Sequence, residues 1–508
     1  MLWIGLHLPL LSLESFLATL PAQHAGQPVA LVEAHQVVHA CARAQALGVK
    51  PGLKRATALA LAPQLLLGQA DALRDAQALT GIAHAALAFS PAVCLSAPQG
   101  VLVEVEASLR YFGGREALLQ RLRDALQPLG HQVHCVSTPT AQGSALLARV
   151  HDGLHCADAA ALQRALDAAP VWLLGPGHEH WDALQGMGLN TLGDLRSLPR
   201  AGLARRFGES LLHEFDAALG HRPDPRVAVE LPARFHSELE LFARADTTEQ
   251  VMHGSQVLLS RLVAWLSAQH AFVRRFSLQM KHEPRWRRDA QTPQHTTLEL
   301  ALAEPSRDAK HLAALLRERL SQLQLAAPTL ELALRASDIA RKPPPNAELF
   351  PTPRSEQEGL TRLLERLQAR LGSERVQRVL PVQDHRPERG SLVCAARSEG
   401  AAQSGPAVPR LRSTELPLQA GASRPVWLLP QALPLGERQS QPLLDGQPLQ
   451  LLAGPERIEA GWWDGDGIER DYFIAQTAEG ALVWLYRARL PFSDQSEGEG
   501  WFLQGRYG

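Results

Sequence analysis

The sequence predicts a multidomain α/β protein that ends in a small β-rich domain. Three observations carry this expectation. A chain of 508 residues is long enough for three or four domains, each with its own core. Residues 1–165 mix short apolar strands with Ala/Leu-rich helices. Five of the ten tryptophans (Trp427, Trp462, Trp463, Trp484, Trp501) fall in residues 425–508, among short strands and turn signals.

The elements follow in chain order. Met1–Leu8 and Val101–Val105 read as strands. Arg115–Leu129 has helical spacing between Gly113-Gly114 and Gly130. Cys41–Leu53 reads as an Ala-rich helix that ends at Gly48. Residues 171–195 form a glycine-punctuated helical hairpin, with Asn190 or Thr191 as cap and Asp194 in the first turn. Phe235–Phe242 reads as a strand. Thr248–Ser267 is an amphipathic helix with Val251, Leu258, Leu259, Leu262 and Leu266 at helical spacing. Phe272–Lys281 alternates like a strand and runs on into Arg285-Trp286-Arg287-Arg288, the densest basic cluster in the chain. Lys342-Pro343-Pro344-Pro345 holds the chain extended. Leu360–Leu371 is a short charged amphipathic helix, and Arg389–Arg424 reads as a flexible linker rich in Gly, Ser, Ala and Pro. In 425–508, Ala481–Arg487 is a strand and Asp464-Gly465-Asp466-Gly467 a turn. At least one of the paired Trp462 and Trp463 is expected in the core, and the pair is also a protein-binding candidate.

Composition narrows the function. Lys+Arg 51 against Asp+Glu 52 gives a net charge near zero, so nucleic-acid binding must come from a local patch. The five cysteines are scattered and form no CxxC pair, which argues against a disulfide framework or structural zinc. No apolar run approaches a membrane span, and no basic leader with a cleavage site opens the chain. The expected location is the cytoplasm. No cofactor is expected and no membrane partner.

Around Leu2–Leu8 and Cys94–Glu106 the sequence resembles the Y-family (translesion) DNA polymerases. The resemblance implies a palm and fingers over 1–165, a thumb with a helix–hairpin–helix over 166–230 and a little finger over 231–340. A clamp-binding peptide and short helix then occupy 341–388, a linker 389–424 and a Trp-rich domain 425–508. In that family the two palm segments carry the acids that hold two magnesium ions. The matching positions here are Gly5, His7, Gln99 and Gly100. Glycine supplies no ligand, Gln99 is neutral, and imidazole suits hard Mg²⁺ poorly. Glu104 and Glu106, two apart on a strand, share a face and could hold one cation, or could be solvated or paired with Arg110. The fingers residues that grip a triphosphate in the family match Ala42 and Gln45.

The same resemblance assigns DNA contacts. Gly175 and Gly177, then Gly186 and Gly188, would turn tightly so that backbone amides meet a phosphate. Arg274, Arg275, Lys281, Arg285, Arg287 and Arg288 would track the duplex backbone. The alternatives are a hairpin that touches no DNA and a strand edge protected by charge. Asn346-Ala347-Glu348-Leu349-Phe350 resembles the bacterial sliding-clamp pentapeptide, with Asn346 where a glutamine is usual. Glu238-Leu239-Glu240-Leu241-Phe242 is a second candidate, less available because it lies within a strand.

Degraded palm strands, thumb hairpin, little finger and clamp-like peptide occur in that order. The tail carries Gly454-Pro455-Glu456-Arg457-Ile458-Glu459 and Trp462-Trp463-Asp464-Gly465. Together they resemble the catalytically inactive Y-family homologues of bacterial mutagenesis cassettes. That resemblance implies a non-catalytic adaptor in damage-induced (SOS) translesion synthesis. Its implied partners are primer–template DNA, the sliding clamp, an error-prone C-family DNA polymerase and an ImuA-like RecA-related protein. Two other readings stay open: an active polymerase using Glu104 and Glu106, and a clamp-independent DNA-binding repair factor.

Overall fold

A computed structural model describes residues 1–24, 26–284, 293–341, 353–372, 374–396, 424–425, 427–489 and 500–507. Two compact units result, Met1–Arg370 and Leu371–Gly508. Among the described residues no helix is long and apolar enough to cross a membrane.

The first unit begins with an antiparallel four-stranded sheet in the order Val93–Ser96, Gly100–Glu104, Trp3–His7, His134–Thr138. Alternation along Trp3–His7 sends Ile4 and Leu6 to one face. There they join Ile82 of the Ala72–Leu87 helix, Leu118 and Leu122 of the Arg115–Leu126 helix, and Val101 and Val103. The opposite face carries Trp3, Gly5 and His7, and the Ala141–Ala148 helix packs on it through Ala141 and Ala145. A smaller sheet, Gln36–Ala40, Val29–Glu33, Leu66–Gln69, holds the helices Ala42–Ala46 and Arg55–Leu61. Helices between Ala159 and Leu219 share a separate core around Leu166, Leu192, Leu211 and Phe215.

The unit continues as a four-stranded antiparallel sheet ordered His295–Ser306, Phe272–His282, Thr329–Ala340, Phe235–Ala245. The helices Thr248–Ala268 and Ala309–Ser321 cover one face around Phe276, Leu278 and Leu316. Thr247 and Gln250 form a capping box at the start of the first helix. The Pro353–Leu371 helix begins earlier than its Leu360 start expected from sequence. Its Glu365 is buried, pairs with His311 Nε2 at 2.8 Å and accepts the Ala303 amide at 2.6 Å.

The second unit is β-rich. Gln377–Pro381 pairs with Ser391–Ala395, so the first residues of the expected 389–424 linker belong to a hairpin; the stretch 397–423 lies outside the described residues. Seven strands then form one sheet, ordered Gln447–Pro448, Gln441–Leu444, Trp427–Arg438, Gly500–Arg506, Leu482–Ala488, Ile468–Gln476, Gln450–Ala460. Tyr472 stacks on Trp484 at 4.2 Å in its core, and Trp501 is buried with Leu503.

Candidate functional site: the Gly5 and His7 face and its surroundings

Antiparallel register places His7 beside Gly100 on one side and His134 on the other; Gly5 lies beside Leu102 and Val136. Gln99 sits in the turn before Gly100, and its carbonyl accepts the Leu8 amide at 2.9 Å. His7, Gln99 and Gly100 therefore come together at one end of the central strands, and Gly5 lies mid-strand on the same face. What the sequence could not show is why two of them are glycine. A Cβ on Gly5 would lie 2.7 Å from the Ser144 carbonyl carbon and closer still to its oxygen. A Cβ on Gly100 would lie 2.8 Å from the Ser96 carbonyl oxygen. Both sites are closed by backbone, which cannot rotate aside as a side chain can.

The electrostatics run against a cation. The pKa of His7 falls to about 4, first because burial disfavours the imidazolium, then because Arg149 and His134 face it; the Gln99 backbone opposes the shift. Arg149 donates to the Leu173 carbonyl at 2.7 Å and lies 5.4 Å from the Trp172 ring centroid. Among the described residues no group of three His, Cys, Asp or Glu side chains could hold a metal ion. The residues at this face do not fit the pair of Mg²⁺ ions that the resemblance would bring.

Glu104 and Glu106 do not share a strand face. The strand ends at Glu104, which pairs across to Trp3, four residues from His7 and roughly 13 Å along the sheet. Glu106 opens a 3₁₀ turn, donates its amide to Glu104 at 3.1 Å and lies 4.0 Å from the Met1 ammonium. In the Ala42–Ala46 helix, Gln45 is tied to the Ala40 carbonyl at 2.8 Å and Arg43 to the Gly26 carbonyl.

The hairpin glycines divide into two kinds. The Gly175 amide does not await a phosphate, because Glu214 Oε2 accepts it at 2.9 Å. Gln142 holds the other Glu214 oxygen at 2.8 Å. Burial raises the Glu214 pKa, against the pull of the Gly175 amide and Arg149. A Cβ on Gly177 would collide with the Val171 carbonyl oxygen, so this glycine serves a close approach of chain to chain. Gly186 is open, and Gly188 adopts φ +80°, the left-handed region that glycine tolerates. At the next helix, Asp194 accepts the amides of Asn190 at 3.1 Å and Thr191 at 2.9 Å while Thr191 caps Asp194. A carboxylate therefore occupies amides that the sequence reading offers to DNA. The sequence signal for Glu214 was absent, since it lies 39 residues from Gly175.

The basic strand is less basic in place than in sequence. Lys281 is bound to Glu331 at 2.7 Å, with Glu238 and Glu240 also within its field. Arg274 and Arg275 are exposed and have no ion-pair partner among the described residues. Arg285, Arg287, Arg288 and the peptide Asn346–Phe350 lie outside the described residues. The second clamp candidate is committed to the fold: Leu241 is buried, and Phe242 meets Phe16 edge-on at 5.2 Å.

Trp462 and Trp463 correct the expectation that one would be core. They are 78% and 54% exposed and meet edge-on at 4.7 Å. Arg386, 2% exposed, lies 5.6 Å from the Trp463 ring centroid and is held by Asp384 at 2.7 Å and Asp464 at 2.6 Å. Asp464 sits in the turn after the tryptophans, so this ion-pair cluster fixes the loop that presents them.

No protein-family model matches the chain. Over 476 residues it is 27% identical to Protein ImuB of Caulobacter vibrioides, covering 91% of this chain and 100% of that protein. The match is the same for strain NA1000 / CB15N and strain ATCC 19089 / CIP 103742 / CB 15. Among solved structures it is similar to a Dbh ternary complex (15% identity, TM-score 0.37) and an insertion ternary complex of Dbh DNA polymerase (16%, 0.38). A Y-family DNA polymerase chimera of Dbh gives 15% and 0.38; each comparison covers 67% of this chain and 99% of the other. The chain is thus similar to ImuB along nearly its whole length.

Proposed function

We propose that this chain is a non-catalytic adaptor in damage-induced translesion synthesis. In this reading it binds primer–template weakly and without sequence preference. It engages the sliding clamp through Asn346–Phe350 and brings an error-prone C-family polymerase and an ImuA-like RecA-related protein to the lesion, with Trp462 and Trp463 as a protein-facing surface. The observation that carries the reading is the palm face. Gly5 and Gly100 stand where acids are expected, each against backbone, and His7 lies under the field of Arg149. Two metal ions need several anionic oxygens, and Gly5, His7, Gln99 and Gly100 supply none. Similarity to ImuB over 91% of the chain supports the biological setting.

Primer extension with Mg²⁺ or Mn²⁺ tests the loss of catalysis. The purified chain is expected to add no nucleotide. Template-directed extension that disappears on Glu104→Ala would instead establish an active polymerase with unusual ligands. Clamp titration tests the adaptor. Leu349 and Phe350, if buried in a clamp pocket, contribute about 1.5–3 kcal/mol each. The double change Leu349→Ala/Phe350→Ala should therefore abolish measurable binding, and equal affinity would remove the peptide from the account. Such a result would move attention to Leu241-Phe242, where Phe242 is 44% exposed with one edge against Phe16.

A further inference from the structure

Arg261 breaks the rule that a buried cation has a counter-ion. It lies on the apolar stripe of the Thr248–Ala268 helix, between Leu258 and Trp265, and is 7% exposed. Its Nη1 donates to Ser237 Oγ at 3.1 Å and to the Glu238 carbonyl at 3.3 Å. No carboxylate lies within ion-pair distance among the described residues, and Nε and Nη2 have no partner there. The Glu238 carboxylate turns instead to His236 Nε2 at 3.1 Å. Burial lowers the Arg261 pKa to about 10, so the side chain remains a cation at neutral pH. Neutral hydrogen bonds alone repay the dehydration of a charge poorly.

Beside this guanidinium is a cavity of about 170 Å³. Gln77, Thr80 and His84, spaced along one side of the Ala72–Leu87 helix, line its other wall with His236. The volume equals that of about five or six waters, at roughly 30 Å³ each. A nucleotide pocket needs several hundred Å³, so the space suits a single oxyanion with its remaining water. Burial holds the His84 pKa at about 4, which leaves its neutral ring as a donor on one nitrogen.

We propose that this cavity, walled by the Ala72–Leu87 helix, the start of the Phe235–Ala245 strand and Arg261, binds one phosphate group. The group is either free phosphate or a backbone phosphate of DNA. The cavity would bind it whether or not the chain serves as an adaptor. The guanidinium supplies the charge and two free donors, and Gln77 and His84 add neutral donors around the remaining oxygens. Glu238 also lines the cavity, and its carboxylate, held by His236, opposes the anion.

The test uses the full chain and inorganic phosphate, against chloride at matched ionic strength. Calorimetric titration and thermal melting should both register saturable phosphate binding. Arg261→Gln should weaken it at least about tenfold. Gln77→Glu places a carboxylate in the cavity as an internal counter-ion. It should raise the melting midpoint without phosphate and abolish the phosphate response, a gain that misfolding cannot mimic. Glu238→Gln should bind phosphate as tightly or more so. A short primer–template in a separate arm distinguishes the sources: competition with phosphate assigns the site to DNA, and its absence to free phosphate. A wild-type chain that responds no more to phosphate than to chloride overturns the proposal. So does an unchanged response in Arg261→Gln, or a Gln77→Glu variant that melts lower and still responds to phosphate.

Discussion

Gly5→Ala is a small change with a large expected effect. The added methyl would stand 2.7 Å from the Ser144 carbonyl carbon and nearer its oxygen, inside the roughly 3.0 Å that Cβ contacts keep. The Ala141–Ala148 helix must then retreat from the Trp3–His7 strand by some tenths of an ångström. The neighbours are buried on both sides, with Ile4 and Leu6 fully enclosed below and Ser144 inaccessible above. Overpacking of this kind costs about 1–3 kcal/mol, a factor of roughly 5 to 150 in the local opening equilibrium. Native-state hydrogen exchange reads it directly, as lost protection of amides in Trp3–His7 and His134–Thr138. Gly186→Ala is the control. Its Cβ would meet nothing within 4 Å, so its effect should stay within about 1 kcal/mol. Gly5→Asp should behave like the alanine variant or worse and should gain no Mg²⁺ affinity. Unchanged protection in Gly5→Ala would refute the claim that backbone closes this position and leaves an acid no room there.

Two further outcomes are expected. The His7 ring should titrate near pH 4 by NMR, because burial and then Arg149 disfavour its charged form; Arg149→Met should raise the midpoint, and a wild-type midpoint near 6.5 would refute the cationic surroundings. Since the folded value lies below the unfolded one, the unfolded chain binds more protons between about pH 6.5 and 4. Stability therefore falls as pH falls through that window, and His7→Asn should remove this part of the acid sensitivity. For DNA, Arg274→Ala/Arg275→Ala should reduce the slope of log affinity against log salt by about 1.8, near 0.9 for each phosphate no longer neutralised. Lys281→Ala alone should change it little, since Glu331 already neutralises that charge; an unchanged slope in the arginine double variant would place DNA elsewhere.

Local pattern determined a good deal. The strand at Trp3–His7 and the stripe of the Thr248–Ala268 helix depend on neighbours in sequence and are formed; the turn expected at Asp464–Gly467 forms two residues earlier, over Trp462–Gly465. The absence of acids at Gly5, His7, Gln99 and Gly100 is likewise a property of the sequence. The register that sets His7 against Gly100 needed the paired strands. Other decisions were made by residues far apart in the chain. Glu214 reaches 39 positions back to take the Gly175 amide, and Glu331 meets Lys281 across 50. Spacing puts Glu106 on a strand with Glu104, but the strand stops two residues sooner and turns it toward the chain terminus. Trp462 and Trp463 look like core residues by type, yet the aspartates around Arg386 hold their loop outward. Arg261 left a trace that could have been noticed, a cation on an apolar stripe. Sequence spacing reports which side chains share an element and a face. Whether a charge is paired, an amide free or a glycine walled in depends on what long-range packing brings against it, and only the tertiary structure decides that.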